Sequence, residues 1–215
     1  MENNHYCNAC ESNVSEFLPY GNKKRNNALC PICGSVERHR FFKYWFDTIK
    51  GNLNPTTRIL HFAPEKAISA RFKEVSEKNY VSVDILPNMA MKVEDITKLS
   101  FDSNTFDFIL CIHVLQHIHE DEKAISELYR VLDKTGIMVL MGSHGHKTTN
   151  TGLHTSIKGE KYFIRHYNTE DLINKLTSVG FSIKLLYAYD LIKDEKEFFR
   201  LGIKNGDSVF ICSKN

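Results

Sequence analysis

The sequence predicts an α/β fold in which a mostly parallel sheet carries helices on both faces. Short apolar runs alternate with amphipathic segments between residues 58 and 179, and strands that alternate with helices usually form a parallel sheet. The run Phe106–Ile112 is almost wholly apolar, as a strand covered on both faces must be. Residues 1–36 contain little apolar material, so the fold class also includes a small N-terminal module.

Composition and charge limit the classes of function. The 215 residues are 42% hydrophobic and 25% charged, which suits one good core and a small accessory module. The net charge of +2 is too small to indicate a nucleic-acid partner on charge alone. We find no run of 18 apolar residues and no apolar signal core at the start, so we expect a cytoplasmic protein without a membrane partner.

Four of the six cysteines form two Cys-x2-Cys pairs with 19 residues between the pairs. Two such turns place four sulfurs around one tetrahedral ion, and an N-terminal segment with so little core needs a stabilising ion. We predict a structural zinc site, with metal-free reduced thiols as the alternative. Its ligands are Cys7, Cys10, Cys30 and Cys33. The other two, Cys111 and Cys212, lie in apolar runs and are expected in the core.

The segment Glu37–Ile49 is predicted to be a helix, because its aromatic residues recur at helical spacing. We expect this helix to dock the zinc module on the main domain, which gives domains at residues 1–50 and 51–215. Basic side chains lie between the aromatic ones, and the preferred interpretation is a solvated face rather than a contact with an anionic substrate. They are Arg38, His39, Arg40 and Lys43.

The remaining elements follow from apolar runs, caps and turn residues. Further strands are predicted at residues 58–62, 80–84, 137–141, 182–189 and 208–212, and helices at 65–77, 120–132 and 169–179. The long insertion at residues 143–167 is predicted to form a lid or a substrate pocket. Within it, Arg165 and Tyr167 are candidates for the acceptor site, and a surface ion pair is the alternative for Arg165.

A strand, a turn at Ala63 and Pro64, a helix and a second strand ending at Asp84 have the order of a nucleotide-binding unit, although the usual glycines are missing. Further along, residues 93–118 and the segment Ala-Ile-Ser-Glu-Leu-Tyr-Arg-Val-Leu at 124–132 resemble class I S-adenosylmethionine-dependent methyltransferases of the small-molecule, type 11-like branch. The resemblance implies a Rossmann-like sheet whose last strand is antiparallel, and S-adenosylmethionine as the cofactor.

The same resemblance implies roles for several residues. Asp84 would take the ribose hydroxyls, while Asp95 and Ile96 would hold the adenine. Ile112 and His113 would line the methionine end. The alternatives are a surface-turn acid for Asp84 and a helix or turn cap for Asp95.

The family's acid and three glycines fall here on His61, Ala63, Glu65 and Ala67. We interpret this stretch as a modified cofactor loop, in which Ala63 allows close approach of the ligand. Our hypothesis is that Glu65 binds the cofactor's ammonium group; alternatively it favours the helix N-terminus. The predicted cofactor contacts near the ends of the first two strands are Phe62, Ala63, Pro64, Glu65, Asp84 and Ile85.

Histidines follow two predicted strands at the edge where parallel sheets bind ligands. A neutral imidazole can remove a proton from an acceptor as the methyl group is transferred. His144, His146 and His113 are therefore the candidate bases, although positioning alone is an alternative mechanism.

We expect methyl transfer to an O or N atom of a small-molecule or sugar-like acceptor. One alternative is an RNA base methyltransferase that uses the zinc module to bind RNA. Another is a regulatory protein that binds the cofactor without turnover. The sequence leaves the oligomeric state open.

Overall fold

The computed structural model describes residues 5–21, 24–155 and 161–214. The chain divides into two compact units, each assembled from segments that are distant in sequence. Unit 1 comprises Met1–Asn54, Glu65–Arg71 and Leu185–Val209, and unit 2 comprises Pro55–Pro64, Phe72–Lys184 and Phe210–Asn215. The domain boundary after residue 50 stays a prediction. No helix within the described ranges is both long enough and apolar enough to cross a membrane.

The strands and helices are as follows. The strands are β1 (His5–Cys7), β2 (Ser12–Val14), β3 (Leu18–Tyr20), β4 (Arg25–Leu29), β5 (Ile59–Phe62), β6 (Tyr80–Asp84), β7 (Lys92–Val93), β8 (Phe106–Ile112), β9 (Leu132–Met141), β10 (Asn150–Thr155), β11 (Lys161–His166), β12 (Phe181–Tyr187) and β13 (Ser208–Lys214). The helices are α1 (Glu37–Ile49), α2 (Lys66–Ser76), α3 (Asp121–Val131), α4 (Thr169–Ser178), α5 (Ala188–Leu191) and α6 (Glu195–Leu201).

The central sheet has seven strands in the order β12-β13-β9-β8-β5-β6-β7. Strands β5, β6, β7, β8 and β9 pair in parallel, whereas β13 pairs antiparallel with β9. This confirms the predicted fold class. The register places Phe62 opposite Cys111, so β5 and β8 end together at one edge of the sheet.

His61, at the position of the acid usual in the resembled family, belongs to the core of the sheet. It is fully buried, and its Nδ1 lies 3.0 Å from the hydroxyl of Tyr80. Its ring also meets the ring of Phe72 edge-on. Packing and a hydrogen bond therefore account for this histidine without a ligand.

Arg40 of α1 corrects the expectation of a solvated basic face. The aromatic stripe is buried as predicted, but the Arg40 side chain is buried as well, and its guanidinium lies 3.8 Å from the centre of the Phe17 ring. Its guanidinium donates to five backbone carbonyls. These acceptors belong to Asn27, Ala28, Ser35, Leu201 and Gly202. The guanidinium thus joins β4, the second cysteine pair and the end of α6 within unit 1.

Gly202 ends α6 in the left-handed conformation, with φ of 58°. A Cβ atom there would come within 2.6 Å of Phe17 and 2.9 Å of Arg40. Only glycine combines this backbone conformation with so close an approach.

The insertion after β9 forms a hairpin of β10 and β11, in which Asn150 pairs with His166 and Thr155 with Lys161. Residues 156–160 of the predicted lid lie outside the described residues. Arg165 donates to the carbonyl of Ile118 and forms an ion pair of 2.9 Å with Asp121, which also accepts from the hydroxyl of Tyr167. These contacts attach the hairpin to the segment that follows β8.

Candidate cofactor cavity and cysteine cluster

A cavity of about 480 Å³ opens in unit 2 where β5, β6 and β8 end. Its volume is in the range usual for small-molecule and cofactor sites. The position is also the expected one, because parallel sheets bind ligands beyond the carboxyl ends of their strands. The lining residues are Phe62, Ala63, Val83, Asp84, Ile85, Glu94, Asp95, Ile96, Thr97, His113, Val114, His117, Ile118, His119 and Glu120.

Two lining residues have left-handed backbone conformations. Ala63 follows β5 with φ of 47°, and His113 follows β8 with φ of 55°. Each is held by a main-chain hydrogen bond to the adjacent strand: the amide of Ala63 donates to the carbonyl of Val83, and the amide of His113 to that of Met141. Such conformations are costly for residues with a Cβ atom, and they cluster at ligand sites.

Asp84 and Asp95 bring two carboxylates to the cavity wall. One oxygen of Asp84 accepts from the amide of Leu86 at 2.8 Å, which shapes the turn after β6. One oxygen of Asp95 accepts from both the amide and the hydroxyl of Thr97, at 2.8 and 2.7 Å. These hydrogen bonds lower the pKa of Asp95, so its carboxylate is charged at neutral pH. A carboxylate so placed can accept from a hydroxyl or an amine of a ligand.

Most of the predicted cofactor contacts lie together on this wall. Those that line the cavity are Phe62, Ala63, Asp84, Ile85, Asp95, Ile96 and His113. Pro64, Glu65 and Ile112 are not among the described lining residues. Within unit 1, a carboxylate oxygen of Glu65 lies 3.2 Å from Nε2 of His39.

The histidines after β9 occupy a different environment from His113. Nδ1 of His144 lies 3.0 Å from the hydroxyl of Thr169, and its ring packs edge-on against Phe210. Burial lowers the pKa of His144, which keeps its imidazole neutral. Nε2 of His146 lies 3.2 Å from the hydroxyl of Ser143. Neither His144 nor His146 is among the described lining residues.

Sequence reasoning did not assign His117 and His119 to the cavity, although both follow β8. Nδ1 of His117 lies 2.8 Å from the carbonyl of Phe163, so this nitrogen carries the hydrogen. Its Nε2 is then an acceptor, and it lies 3.3 Å from the side-chain nitrogen of Gln116. Their position after the end of a predicted strand, the same signal that predicted His113, could have placed both histidines at the cavity.

The four paired cysteines form one cluster in unit 1. Their sulfurs all lie within 4.8 Å of one another, including 3.7 Å between Cys7 and Cys33 and 3.9 Å between Cys10 and Cys30. Tetrahedral zinc with bonds of about 2.3 Å requires sulfurs about 3.8 Å apart, so the cluster fits the ion. The hydrogen bond from Cys7 lowers the pKa of Cys33 to about 4 and raises that of Cys7. All four are free cysteines, and none of them forms a disulfide.

Comparison with known protein families gives a match in the region that contains the cavity residues. Residues 64–140 match a family model described as a methyltransferase domain. That span holds the end of the cofactor loop, Asp84, Asp95 and His113. The match spans 77 of the 215 residues and supports the predicted class I S-adenosylmethionine-dependent methyltransferase domain. This similarity agrees with the predicted parallel sheet and with the position of the cavity.

Relatives of known sequence or structure are distant. An uncharacterized protein of Methanocaldococcus jannaschii, MJ0638, is 34% identical over 65 residues, a stretch that covers 28% of this chain and 28% of that protein. Among solved structures, the [4+2]-cyclase SpnF has a TM-score of 0.59 at 14% identity, covering 94% of this chain and 88% of its own.

Two solved methyltransferases have similar folds. A methyltransferase from Mesorhizobium loti gives a TM-score of 0.54 at 11% identity, with coverage of 80% of this chain and 98% of its own. The 1,6-didemethyltoxoflavin-N1-methyltransferase of Burkholderia thailandensis gives 0.52 at 12% identity and covers 82% of both chains. At these identities the likeness concerns the fold alone.

Proposed function

We propose that the protein transfers the methyl group of S-adenosylmethionine to an O or N atom of a small-molecule acceptor. The observation that carries this proposal is the cavity beyond β5, β6 and β8, where Ala63, Asp84, Asp95 and His113 meet. The ribose and the adenine amine each need a hydrogen-bond acceptor, which the two carboxylates provide. The adenine ring needs an apolar wall, and the sulfonium side chain needs a backbone that it can approach closely.

In this proposal Asp84 accepts hydrogen bonds from the ribose hydroxyls, because it ends β6 at the cavity wall. Asp95 accepts from the adenine amine, and Ile96 covers a face of the ring. Ala63 lets the methionine end lie close to the backbone, since a larger side chain in its left-handed conformation would occupy the cavity.

His113 is the proposed base because, of the three candidates, it is the one that lines the cavity. A neutral imidazole there would take the proton that an acceptor hydroxyl or amine releases as it is methylated. When bound, S-adenosylmethionine would supply the methyl group. The acceptor atom would provide the electron pair for the new bond, and the pair of the broken carbon–sulfur bond would stay on sulfur. If instead positioning suffices, the rate of His113→Asn would keep the wild-type dependence on pH.

Zinc is the second proposed ligand of the chain, bound by Cys7, Cys10, Cys30 and Cys33. The sulfur separations given above support it, and four protein ligands leave no open position on the ion. Zinc therefore has a structural role in this proposal and takes no part in methyl transfer.

Calorimetry with S-adenosylhomocysteine tests the proposed cofactor site. Wild-type protein is expected to bind in the micromolar range, and Asp84→Asn to bind about tenfold more weakly, which corresponds to one lost charge-assisted hydrogen bond. Asp102→Asn is the matched control, because Asp102 is exposed and does not line the cavity. Absence of binding by the wild type would refute the proposal.

A further inference from the structure

Five aromatic and imidazole rings follow one another from the cavity wall along the β10–β11 hairpin. We call them the ring row: His117, Tyr162, His154, His166 and His146. Successive ring centres are 5.6, 6.1, 5.2 and 4.6 Å apart in that order. These separations are those of rings in contact with their neighbours.

The ring row begins in the cavity and continues at the surface. His117 lines the cavity, and its ring meets that of Tyr162 on β11 at an angle of 62°. His117, His154 and His146 are exposed, while Tyr162 and His166 are half-buried. A molecule that extends from the cavity mouth along the hairpin therefore meets a succession of ring edges and faces.

The row also offers hydrogen-bonding atoms beside its rings. The hydroxyl of Ser143 lies 2.8 Å from Nδ1 of His166 and 3.2 Å from Nε2 of His146. The carbonyl of Phe163 fixes the tautomer of His117, so that Nε2 is an acceptor at the cavity wall. Such a surface suits a ligand with flat π faces and a few hydroxyl or N–H groups at its edge.

The hairpin that carries the row is fixed to the cavity segment. Arg165 binds the carbonyls of Ile118 and His119, and the ring of His119 lies 3.9 Å from that of Phe163. Because β11 is tied to the same residues that line the cavity, the row keeps its position relative to the site of methyl transfer. A positioned acceptor is what transfer from a bound cofactor requires.

We propose that the ring row is the acceptor-binding surface, and that the acceptor is a planar aromatic or heteroaromatic compound with a hydroxyl or ring N–H group. This inference rests on the proposed function and names its acceptor class. The hydroxyl or N–H projects from the row into the cavity beside His117. Its oxygen or nitrogen attacks the methyl carbon, the carbon–sulfur bond breaks, and the acceptor's proton leaves to a base or to solvent.

Saturation-transfer-difference NMR with a matched pair of diols tests this acceptor class. Catechol and cis-cyclohexane-1,2-diol carry the same two hydroxyls, but only catechol has a π face. With the protein saturated by S-adenosylhomocysteine, we expect the catechol signal to exceed that of the saturated diol at least fivefold. Tyr162→Leu should reduce the catechol signal at least fivefold, whereas Tyr162→Phe, which keeps the ring, should retain it.

Tyr189→Leu is the matched control, because Tyr189 is an exposed tyrosine outside the row. It should leave the catechol signal unchanged. Equal signals for the two diols, no catechol signal, or a signal that Tyr162→Leu leaves intact would each overturn the inference.

Calorimetry on the same samples distinguishes failure of the acceptor class from failure of the proposed function. If S-adenosylhomocysteine binds but catechol does not, only the acceptor class is wrong. If S-adenosylhomocysteine does not bind, the proposed function fails as well. Retained S-adenosylhomocysteine binding by Tyr162→Leu shows that this variant is folded.

Discussion

Ala63 and His113 follow neighbouring parallel strands and share the left-handed backbone conformation, with φ of 47° and 55°. Both line the same cavity. A non-glycine residue in this region of backbone conformation costs free energy. Two such residues at one sheet edge therefore indicate that the backbone is shaped for a ligand site at some expense of stability. The glycine-poor loop therefore keeps a backbone conformation in which glycine would be the favourable residue.

Ala63→Gly is expected to stabilise the protein by about 0.5–1 kcal/mol, because glycine adopts positive φ without strain. It should also bind S-adenosylhomocysteine at least as well as the wild type. Ala63→Val should lower the stability of the protein and weaken its binding of S-adenosylhomocysteine, because a β-branched side chain is disfavoured at this φ and would project into the cavity. Thermal unfolding and calorimetry check both variants. The interpretation is wrong if valine binds the ligand as well as alanine does.

The cysteine cluster predicts one zinc ion per chain in purified protein, measurable by inductively coupled plasma mass spectrometry. Cys33→Ser should lose most of the metal and lower the melting temperature, since the buried apolar cluster around these cysteines is small, with Ala9, Val14 and Phe17. Cys212→Ala is the control, because Cys212 is a buried cysteine on β13 outside the cluster. It should keep the full zinc content even if its lost side chain costs some stability. A wild-type chain purified without zinc and unaffected by chelators would contradict the assignment.

Local sequence patterns predicted the sheet well, because burial of each strand is visible in its own residues. Phe106–Ile112 and Tyr80–Asp84 have the predicted bounds. The cavity followed, since strand ends at one edge of a parallel sheet must lie together. The environment of His144 did not follow: it packs on Phe210 of β13, a strand that joins the sheet from the far end of the sequence.

Tertiary partners also explain why the basic face of α1 was misjudged. Helical periodicity placed its aromatic residues correctly, but nothing near Arg40 in the sequence shows that carbonyls of residues 201 and 202 would approach it. The insertion was likewise predicted as a lid or a substrate pocket, but without its internal structure. Its hairpin depends on pairing between β10 and β11 and on the anchoring of Arg165 to Asp121.

Arg40→Lys should destabilise the protein by about 2–4 kcal/mol, because an ammonium group cannot replace a buried planar fork that donates to five backbone carbonyls. Denaturant unfolding of the zinc-bound full chain measures the loss. Arg200→Lys is the control: Arg200 forms a surface pair with Glu197 on α6, and its replacement should cost less than about 0.5 kcal/mol. Equal losses of unfolding free energy in the two variants would show that the hydrogen bonds of the Arg40 guanidinium contribute no particular stability.

Asp207 in unit 1 should make stability depend on pH in the opposite direction from most carboxylates. Burial raises its pKa to about 6, against an ordinary value of 3.8, with the Glu37 charge contributing in the same direction. The folded state therefore holds a proton between these values that the unfolded state has lost. The stabilising contribution is complete below pH 3.8 and disappears as the pH rises through about 6.

Asp207→Asn should consequently stabilise unit 1 above pH 6, by about 1–3 kcal/mol at pH 7.5, and have little effect near pH 4. The side-chain oxygen of asparagine can still accept from the amide of Lys204, as Asp207 does at 3.0 Å. Hydrogen exchange at the amides of Ala188 and Lys204, which bond to Asp207, reports the local free energy at both pH values. Slower exchange in the variant at pH 7.5 but not at pH 4 is the expected result. Faster exchange at pH 7.5 would mean that the charged carboxylate stabilises the fold, which would reverse the sign argued from its burial.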